Sequence, residues 1–534
     1  MGWRVILFLA LAVLFLAAAC RVRTPTSTPV LQPAVAQGGE FIQRGSDPPT
    51  LDPHLTTDAT SATYIVEVFG GLVTLDLELQ VAPDLAERWE VSRDGESYTF
   101  SLRRDARFHD GKRVTAEDVR WSLERVTNPS TQAPVVDTYL GDILGVKEKL
   151  EGRTPELAGV EVLDDSTLRI TLETPTAVFL KKLTYPTAFV LDRENVEGQA
   201  NWTQQPNGTG PFRLAEYVVG ERLVLERNEF YHLGPPNLDR VRFILSGGNP
   251  MLLYENDEVH IAGVGLADRE RVLDPANPLS EEVHLAPPDF SIQYLGMNVN
   301  QPPLDDVKVR QALNYAVNTE FMAAQLFEGL LVPAKGILPP GFPGYNPDVE
   351  GYTFDGERAR QLLRESKYDL EDFPRIVITV PGAFGAAVPL DLQVVLETWR
   401  RVLGLEVEIQ QVEWATFLQE LNRQRLQLFA VGWIADYPDP ENFLDVLFHS
   451  QSSNNQTGYA NPEVDRLLER ARTERDEETR IQLYRQVEEM VLRDAPWIPL
   501  WHPGETMVLL KPYVHNYPLV PLVVPTYRYI YMER

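Results

Sequence analysis

The stretch Leu428–Tyr459, LFAVGWIADYPDPENFLDVLFHSQSSNNQTGY, predicts a buried strand that ends in polar and aromatic side chains and then turns sharply. Its first four residues form a continuous apolar run, which is typical of a strand covered on both faces. Trp433, Asp436 and Tyr437 follow at the place where α/β sheets present the carboxyl ends of their strands to ligands. We therefore expect the turn after this strand to hold a ligand.

Two prolines end the predicted strand. Pro438 and Pro440 cannot donate a backbone hydrogen bond to a neighbouring strand, and each stiffens the turn. Asp439 is the expected N-cap of the next helix, with Pro440 as its first residue. The apolar face of this helix is predicted to contain Phe443, Leu444, Val446 and Leu447.

The same strand completes an alternating succession of strands and helices. The preceding elements are predicted as a strand from Ile376, a helix over Leu392–Leu403, a strand LEVEI from Leu405 and a helix over Ala415–Leu421. Short links between alternating strands and helices predict a largely parallel sheet.

Length and charge restrict the class of protein. With 534 residues and 44% hydrophobic content, the chain is too long for one ordinary domain, and two or three subdomains are expected. The formal net charge of −28 argues against a nucleic-acid partner, because phosphates need a basic surface. It also argues against binding of anionic lipid through the protein surface. Solubility is the simplest explanation of the acidity.

The amino terminus carries an apolar run. Residues 1–19 place Arg4 before VILFLALAVLFLAAA, which predicts a signal peptide, with a transmembrane anchor as the alternative. Leu16–Cys20 resembles a bacterial lipobox, which implies that Cys20 is lipidated. Cys20 is the only cysteine, so no internal disulfide and no thiolate catalyst are expected. Residues 20–37 are rich in Thr and Pro and predict an extended tether that holds the folded part outside the cytoplasmic membrane.

Further elements follow from hydrophobic spacing and turn residues. Thr115 and Asp118 have capping-box spacing, which predicts a helix over Thr115–Thr127. Other predicted elements are a strand over Glu40–Arg44, helices over Thr60–Leu72 and Val307–Val317, and hairpins turning at Arg93–Glu96 and Asp164–Ser166.

The segment Pro83–Leu123, PDLAERWEVSRDGESYTFSLRRDARFHDGKRVTAEDVRWSL, resembles the signature region of the extracytoplasmic solute-binding proteins of peptide-type ABC importers, family 5. Other pieces resemble the same family in the same order. They are Asp47–Pro53, Asn207–Phe212, Leu295–Val317, Tyr352–Leu363 and Trp433–Leu444. Their number and order identify the chain as a member of that family.

The resemblance implies an α/β fold of the type II periplasmic-binding-protein class, in which two lobes flank a cleft and an extra subdomain is inserted. Lobe I would comprise residues 38–80, 207–285 and 500–534, the insert 81–206, and lobe II 286–499. The implied partners are a peptide or another small solute and the permease subunits of an ABC importer. The protein is expected to be a monomer.

The resemblance also implies binding residues. In peptide-binding members an aspartate in this loop takes the ligand's α-ammonium group, and Ala435-Asp436-Tyr437 resembles that pattern. The alternative is that Asp436 caps its own turn. Trp433 would form a flat wall for a side chain or sugar ring, or else be a core tryptophan. Tyr437, Tyr459 and Asn298 would offer hydrogen bonds, and Thr57 and Ala59 lie where lobe I would present backbone groups to an extended ligand.

Motifs for catalysis are absent from the sequence. It contains no GxxxxGK[ST], GxSxG or HExxH pattern, and its eight histidines lack ligand spacing. Asp436, Asp439, Glu441 and Asp445 suggest calcium, but their spacing does not fit an EF-hand, so helix capping is preferred and no cofactor or metal is expected. We therefore predict a binding protein and not an enzyme. Three hypotheses stand: a tethered peptide receptor, the same receptor for an oligosaccharide, metal chelate or other solute, and a secreted glycoside hydrolase that uses two distant carboxylates.

Overall fold

The structure is a computed structural model that describes residues 38–382 and 387–533. The predicted signal peptide of residues 1–19, the lipidation of Cys20 and the tether up to residue 37 lie outside the described residues. Within the described ranges, no helix is both long enough and apolar enough to cross a membrane.

The described part of the chain alternates short strands and helices. The strands are β1 (Glu40–Arg44), β2 (Val73–Leu75), β3 (Val81–Pro83), β4 (Ala86–Val91), β5 (Ser97–Leu102), β6 (Val160–Asp164), β7 (Thr167–Thr171), β8 (Phe212–Val218), β9 (Arg222–Arg227), β10 (Arg240–Ile244), β11 (Ile261–Gly263), β12 (Val283–Ala286), β13 (Ser291–Met297), β14 (Leu331–Pro333), β15 (Ile376–Pro381), β16 (Val407–Val412), β17 (Leu428–Ile434), β18 (Trp497–Pro503), β19 (Thr506–Leu510), β20 (Val514–His515) and β21 (Tyr531–Met532). The α-helices are α1 (Ala59–Val68), α2 (Ala116–Val126), α3 (Val136–Leu140), α4 (Val146–Leu150), α5 (Phe179–Lys182), α6 (Arg193–Gly198), α7 (Pro250–Glu255), α8 (Leu266–Leu273), α9 (Val307–Tyr315), α10 (Thr319–Gln325), α11 (Gly356–Arg364), α12 (Leu390–Leu403), α13 (Trp414–Asn422), α14 (Glu441–Phe448), α15 (Pro462–Thr473) and α16 (Glu477–Asp494).

Local sequence signals account for several of these boundaries. Helix α2 begins with the predicted capping box: the Asp118 N–H donates to Thr115 Oγ1 (3.3 Å), and the Thr115 N–H donates to Asp118 Oδ2 (2.8 Å). Such a cap contributes about 1 kcal/mol. Strand β1 has the predicted bounds, while α1 ends at Val68 and is thus shorter than predicted.

The largest sheet has six strands in the order β14-β18-β13-β17-β15-β16. Strand β15 is parallel to β16 and β17, so the predicted succession of alternating strands and helices is parallel. Strands β13, β18 and β14 pair antiparallel. The prediction of a largely parallel sheet is therefore wrong. These three strands come from outside that succession; β13 and β14 run opposite to β17, whereas β18 runs in the same direction as β17.

Smaller sheets organise the rest of the chain. One four-stranded sheet has the order β1-β10-β9-β8, a second has the order β4-β5-β7-β6, and a three-stranded sheet has the order β11-β19-β12. The predicted boundary between residues 499 and 500 falls inside β18, and the one between 80 and 81 falls within the β2–β3 pair. The division into lobes and insert stays a prediction at that level of detail.

Candidate functional site

A cavity of about 570 Å³ adjoins both the start of α1 and the carboxyl end of β17. One part of its wall comes from α1 and its preceding loop, from Thr184–Pro186 and from Val523. Most of the remaining wall comes from β13, β15, β17 and β18 of the six-stranded sheet and from helices α12 and α13. The volume falls within the range of ligand-binding pockets, roughly 300–1,000 Å³.

Strand β17 brings its polar end to this cavity. It pairs with β13 from Leu428 to Ile434, and the Ala435 N–H then donates to the Phe290 carbonyl oxygen (2.8 Å). The chain leaves the sheet at the two prolines that follow. Leu428 and Phe429 are buried, but the five remaining strand residues are only half-buried because this end of the strand forms part of the cavity wall.

Asp436 lines the cavity and is half-buried. Its Oδ2 accepts hydrogen bonds from the Tyr139 hydroxyl and from Asn442 Nδ2 (3.0 Å). Its Oδ1 has no hydrogen-bond partner among the described residues. Burial raises the pKa of Asp436 from 3.8 to about 6, although the hydrogen bonds from Asn442 and Tyr139 act to lower it. The carboxylate thus keeps one acceptor oxygen for a ligand.

The partners of Asp436 are themselves held in place. Tyr139 stacks on Tyr185 with ring centroids 3.9 Å apart and planes 7° from parallel, and Tyr185 lines the cavity. Burial raises the pKa of both tyrosines well above the ordinary value, so Tyr139 remains a proton donor. Sequence analysis missed Tyr139 because it lies 297 residues before Asp436.

Aromatic side chains form much of the remaining wall. Trp433 is half-buried and lines the cavity, and its Nε1 donates to Asn442 Oδ1 (3.2 Å). Asn442 Oδ1 also accepts from the Asp436 N–H (3.0 Å), so one amide fixes both residues. Trp414, Trp501 and Tyr294 line the cavity as well. Sequence analysis did not identify these three.

The loop before α1 forms another part of the wall. Thr57 and Ala59 line the cavity on either side of Asp58, which is the N-cap of α1. Asp58 Oδ1 accepts from the Ser61 N–H (2.9 Å), and this bond fixes the loop against the helix. The binding roles of Thr57 and Ala59 stay predictions.

Tyr437, Tyr459 and Asn298 are not among the described residues that line the cavity. The Tyr437 hydroxyl donates to Glu441, the Tyr459 hydroxyl donates to Asp494 (2.6 Å), and Asn298 Nδ2 donates to the Gln424 carbonyl (2.8 Å). Asn298 follows the end of β13 that is opposite to the cavity. The expected ligand contacts of these three residues are therefore not supported, since their side chains are buried and pair within the fold.

The charges on the cavity wall all have one sign. Four carboxylates line it, and we call them the cavity carboxylates: Asp58, Asp289, Asp391 and Asp436. The described lining residues include no Lys, Arg or His. Burial raises the pKa of Asp289 and of Asp391. Asp289 is more exposed than Asp391, but likewise has no Lys, Arg or His among the described lining residues to offset desolvation.

A second group of carboxylates follows Asp436 closely in sequence and is fully paired. We call it the ion-pair cluster: Asp439 with Arg480 and Lys181, Glu441 with Lys182, and Asp445 with Arg472. Burial acts to raise the pKa of Asp439 and Asp445, but their arginine partners outweigh it and hold both pKa values below the ordinary value. The calcium alternative placed a metal ion among these carboxylates. In the structure, Arg and Lys side chains pair with Asp439, Glu441 and Asp445 instead.

The ion-pair cluster also corrects one local prediction. Helix α14 begins at Glu441, and Pro440 occupies the N-cap position without a side-chain hydrogen bond. Asp439, the predicted N-cap, accepts from Arg480 Nη1 and Nη2 at 2.7 and 2.9 Å and from Lys181 Nζ at 2.9 Å. It still accepts from the Glu441 N–H (3.2 Å). Pairing with Arg480 and Lys181 therefore dominates its environment.

A family model described as bacterial extracellular solute-binding proteins, family 5 Middle, matches residues 80–455 of this chain. The match covers more than half of the sequence. The chain belongs to the family 5 extracellular solute-binding proteins. The family predicted from sequence is thereby confirmed, and this family consists of binding proteins.

Two relatives of this family 5 protein come from Escherichia coli K12. The periplasmic oligopeptide-binding protein OppA is 30% identical over 487 residues, which cover 89% of this chain and 88% of OppA. The dipeptide-binding protein is 31% identical over 492 residues, which cover 86% of this chain and 88% of the relative. The similarity thus extends over nearly the whole length of both.

Solved structures confirm the two-lobed fold. The murein tripeptide binding protein MppA of Escherichia coli is similar with a TM-score of 0.84 at 25% identity, covering 94% of this chain and 100% of MppA. The unliganded open form of MppA is less similar, with a TM-score of 0.65 at the same identity and 94% and 99% coverage. The family 5 protein described here therefore differs in arrangement from the open form.

Proposed function

We propose that this family 5 protein is an extracytoplasmic receptor that captures a peptide in the cavity and delivers it to the permease of an ABC importer. One observation carries the proposal: Asp436 Oδ1 lacks a protein partner on a cavity wall that has no cation among its described residues. The names of the oligopeptide- and dipeptide-binding relatives support a peptide as the ligand.

The chemistry of the site fits an amino terminus. An ammonium group about 4 Å from a carboxylate gains roughly 4 kcal/mol at an effective dielectric of 20, before desolvation is subtracted. Since Tyr139 and Asn442 occupy Oδ2, the ammonium would bind at Oδ1 of Asp436. Trp433 would then cover a side chain of the peptide, and the backbone at Thr57 and Ala59 would pair with an extended segment.

Closure and release would follow from movement of the lobes. Enclosing the ligand excludes water and strengthens the contact between ammonium and carboxylate. The lower similarity to an unliganded open form supports a closed arrangement in this structure. Opening at the permease would rehydrate Asp436 and release the peptide.

The predicted lipid on Cys20 would keep the receptor at the outer face of the cell membrane, beside its permease. A Cys20→Ala variant is expected to move from the membrane pellet to the soluble fraction. Mass spectrometry of the wild-type amino-terminal peptide is expected to show an acylated cysteine. An unmodified Cys20, or a variant that stays in the pellet, would contradict the tether.

The binding test uses protein freed of bound solute by unfolding and refolding, titrated with tri- to pentapeptide amides that have free or N-acetylated amino termini. Asp436→Ala should weaken binding of the free-amine peptides by about 2–5 kcal/mol, the range for removing one partner of a buried charge pair. Glu90→Gln removes an equal charge from an exposed position on β4 and serves as the matched control. Equal losses for free and acetylated peptides would refute the assignment.

The same samples separate the other functions. The mass of the solute released on unfolding identifies an oligosaccharide or metal chelate if one of these is the ligand. Incubation of peptides and oligosaccharides with the protein, followed by mass analysis, should return them intact. Shortened products would indicate a hydrolase.

A further inference from the structure

The cavity contains more negative charge than one amino terminus can balance. Its four carboxylates face no Lys, Arg or His among the described lining residues. A ligand with a single ammonium group would therefore leave the cavity strongly acidic.

Asp391 occupies a different part of the wall from Asp436. It lies in the first turn of α12, whereas Asp436 follows β17. Asp391 makes no ion pair with any described residue.

The wall around α12 and α13 suits a long side chain that ends in a cation. Leu392 from α12 and Trp414, Leu418 and Leu421 from α13 line the cavity there. Lys and Arg place their aliphatic stems along such apolar surfaces while the charged end reaches a carboxylate. Aromatic rings such as that of Trp414 also attract cations.

The polar donors that remain in the cavity are neutral. Gln456 is only 9% exposed and lines the cavity; its Oε1 accepts from the Tyr294 hydroxyl (3.0 Å), and its Nε2 has no partner among the described residues. This amide can bind a peptide carbonyl, but it does not neutralise a carboxylate. An acidic side chain in the ligand would therefore meet neutral donors and like charges but no cation among the described lining residues, which disfavours it.

Resting on the proposed function, we propose that the cavity selects peptides with a second positive charge, in which the amino terminus binds Asp436 and a lysine or arginine side chain binds Asp391. Asp289 adds to the negative field that favours this second cation. Peptides with glutamate or aspartate at the corresponding position are excluded.

The test compares three tripeptide amides with free amino termini: Ala-Lys-Ala, Ala-Ala-Ala and Ala-Glu-Ala. The lysine and glutamate peptides are also tested with the charged residue at the first and third positions. The register of the peptide decides which side chain reaches Asp391. The best lysine peptide should bind about tenfold more tightly than trialanine amide, as expected for one charged hydrogen bond. The glutamate peptides should bind more weakly than trialanine amide.

Variants locate the effect. Asp391→Asn should reduce the ratio of lysine-peptide to alanine-peptide affinity by about tenfold, and Asp289→Asn should reduce it less. Glu90→Gln, the exposed control, should leave the ratio unchanged. The circular dichroism spectrum and Tm of each variant show that it is folded.

The outcomes separate this inference from the proposed function. If no free-amine peptide binds, the proposed function fails. If alanine peptides bind through Asp436 but lysine gives no advantage in any position, the second-charge proposal is overturned while the receptor stands. An advantage of lysine that survives both Asp391→Asn and Asp289→Asn also overturns it.

Discussion

Asp436, one of the cavity carboxylates, and the ion-pair cluster lie close together in sequence but differ in the side chains that face them. Asp436 has hydrogen bonds from Tyr139 and Asn442 but no cationic partner among the described residues, and burial raises its pKa to about 6. Asp439, three residues later, has Arg480 and Lys181 as partners, and its pKa is lowered. The carboxylates of the ion-pair cluster therefore pair with Lys or Arg. The cavity carboxylates have no such partner among the described residues.

This difference has an energetic consequence. A buried carboxylate without a cation costs free energy of folding, whereas removing the cation from a paired carboxylate costs more. The ligand-free protein should therefore have a lower free energy of unfolding than a variant with neutral side chains in the cavity. A cationic ligand that binds only the folded state recovers this free energy.

Asp439→Asn is the change with the largest expected effect on stability. It leaves the buried Arg480 and the half-buried Lys181 with a neutral partner, and the free energy of unfolding should fall by about 3–5 kcal/mol. Urea denaturation followed by circular dichroism measures this loss. The double variant Asp439→Leu with Arg480→Met removes both charges and should recover a large part of it. A loss below about 1 kcal/mol for Asp439→Asn would show that its ion pairs do not stabilise the fold. The proposed difference between Asp439 and Asp436 would then fail.

Asp436→Asn should have the opposite sign. The pKa of the folded-state carboxyl is about 6 against an ordinary value of 3.8, so the folded state binds more protons between these pH values. Wild-type stability therefore falls as the pH rises through this window. At pH 7.5 the ligand-free variant should be more stable by about 1–3 kcal/mol, allowing for partial hydration of the site. The gain should vanish near pH 4, and a destabilised variant at pH 7.5 would contradict the account.

Ligand affinity should depend on pH with the same carboxyl group. Protonation of Asp436 removes the charge that binds the ammonium, so the Kd of a free-amine peptide should rise about tenfold per pH unit well below pH 6. Tyr139, Tyr185 and Tyr437 stay neutral because their pKa values are raised well above the ordinary value. Titrations between pH 4.5 and 8 measure the effect. In Asp436→Asn the dependence of Kd on pH should flatten near pH 6. An unchanged dependence would show that another group causes it.

Sequence reasoning predicted the features that depend on neighbouring residues. The capping box at Thr115, the strand beginning at Leu428 and the turn at Pro438 follow from local spacing and backbone chemistry. Resemblance to family 5 pointed to Asp436, and the structure places this residue on the cavity wall. The motif Ala435-Asp436-Tyr437 was informative because it follows a strand that Pro438 must end.

The remainder of the site depends on tertiary contacts. Tyr139 and Asp391 come from separate parts of the chain, and no local pattern connects either residue with Asp436. The direction of β13 in the sheet and the pairing of Asp439 with Arg480 likewise require packing across elements. Tyr437, Tyr459 and Asn298 have suitable side chains for binding, but residue type does not determine which face is buried.

The central claim, that an ammonium group of the ligand meets Asp436, is tested most directly by proton release on binding. At pH 6 about half of the Asp436 carboxyl groups are protonated in the free protein, so a free-amine peptide should displace about half a proton per molecule bound. Calorimetric titrations in two buffers with different ionisation enthalpies measure this quantity. We predict release by the wild type and none by Asp436→Asn. Binding without proton release, or equal release by the variant, would contradict the claim.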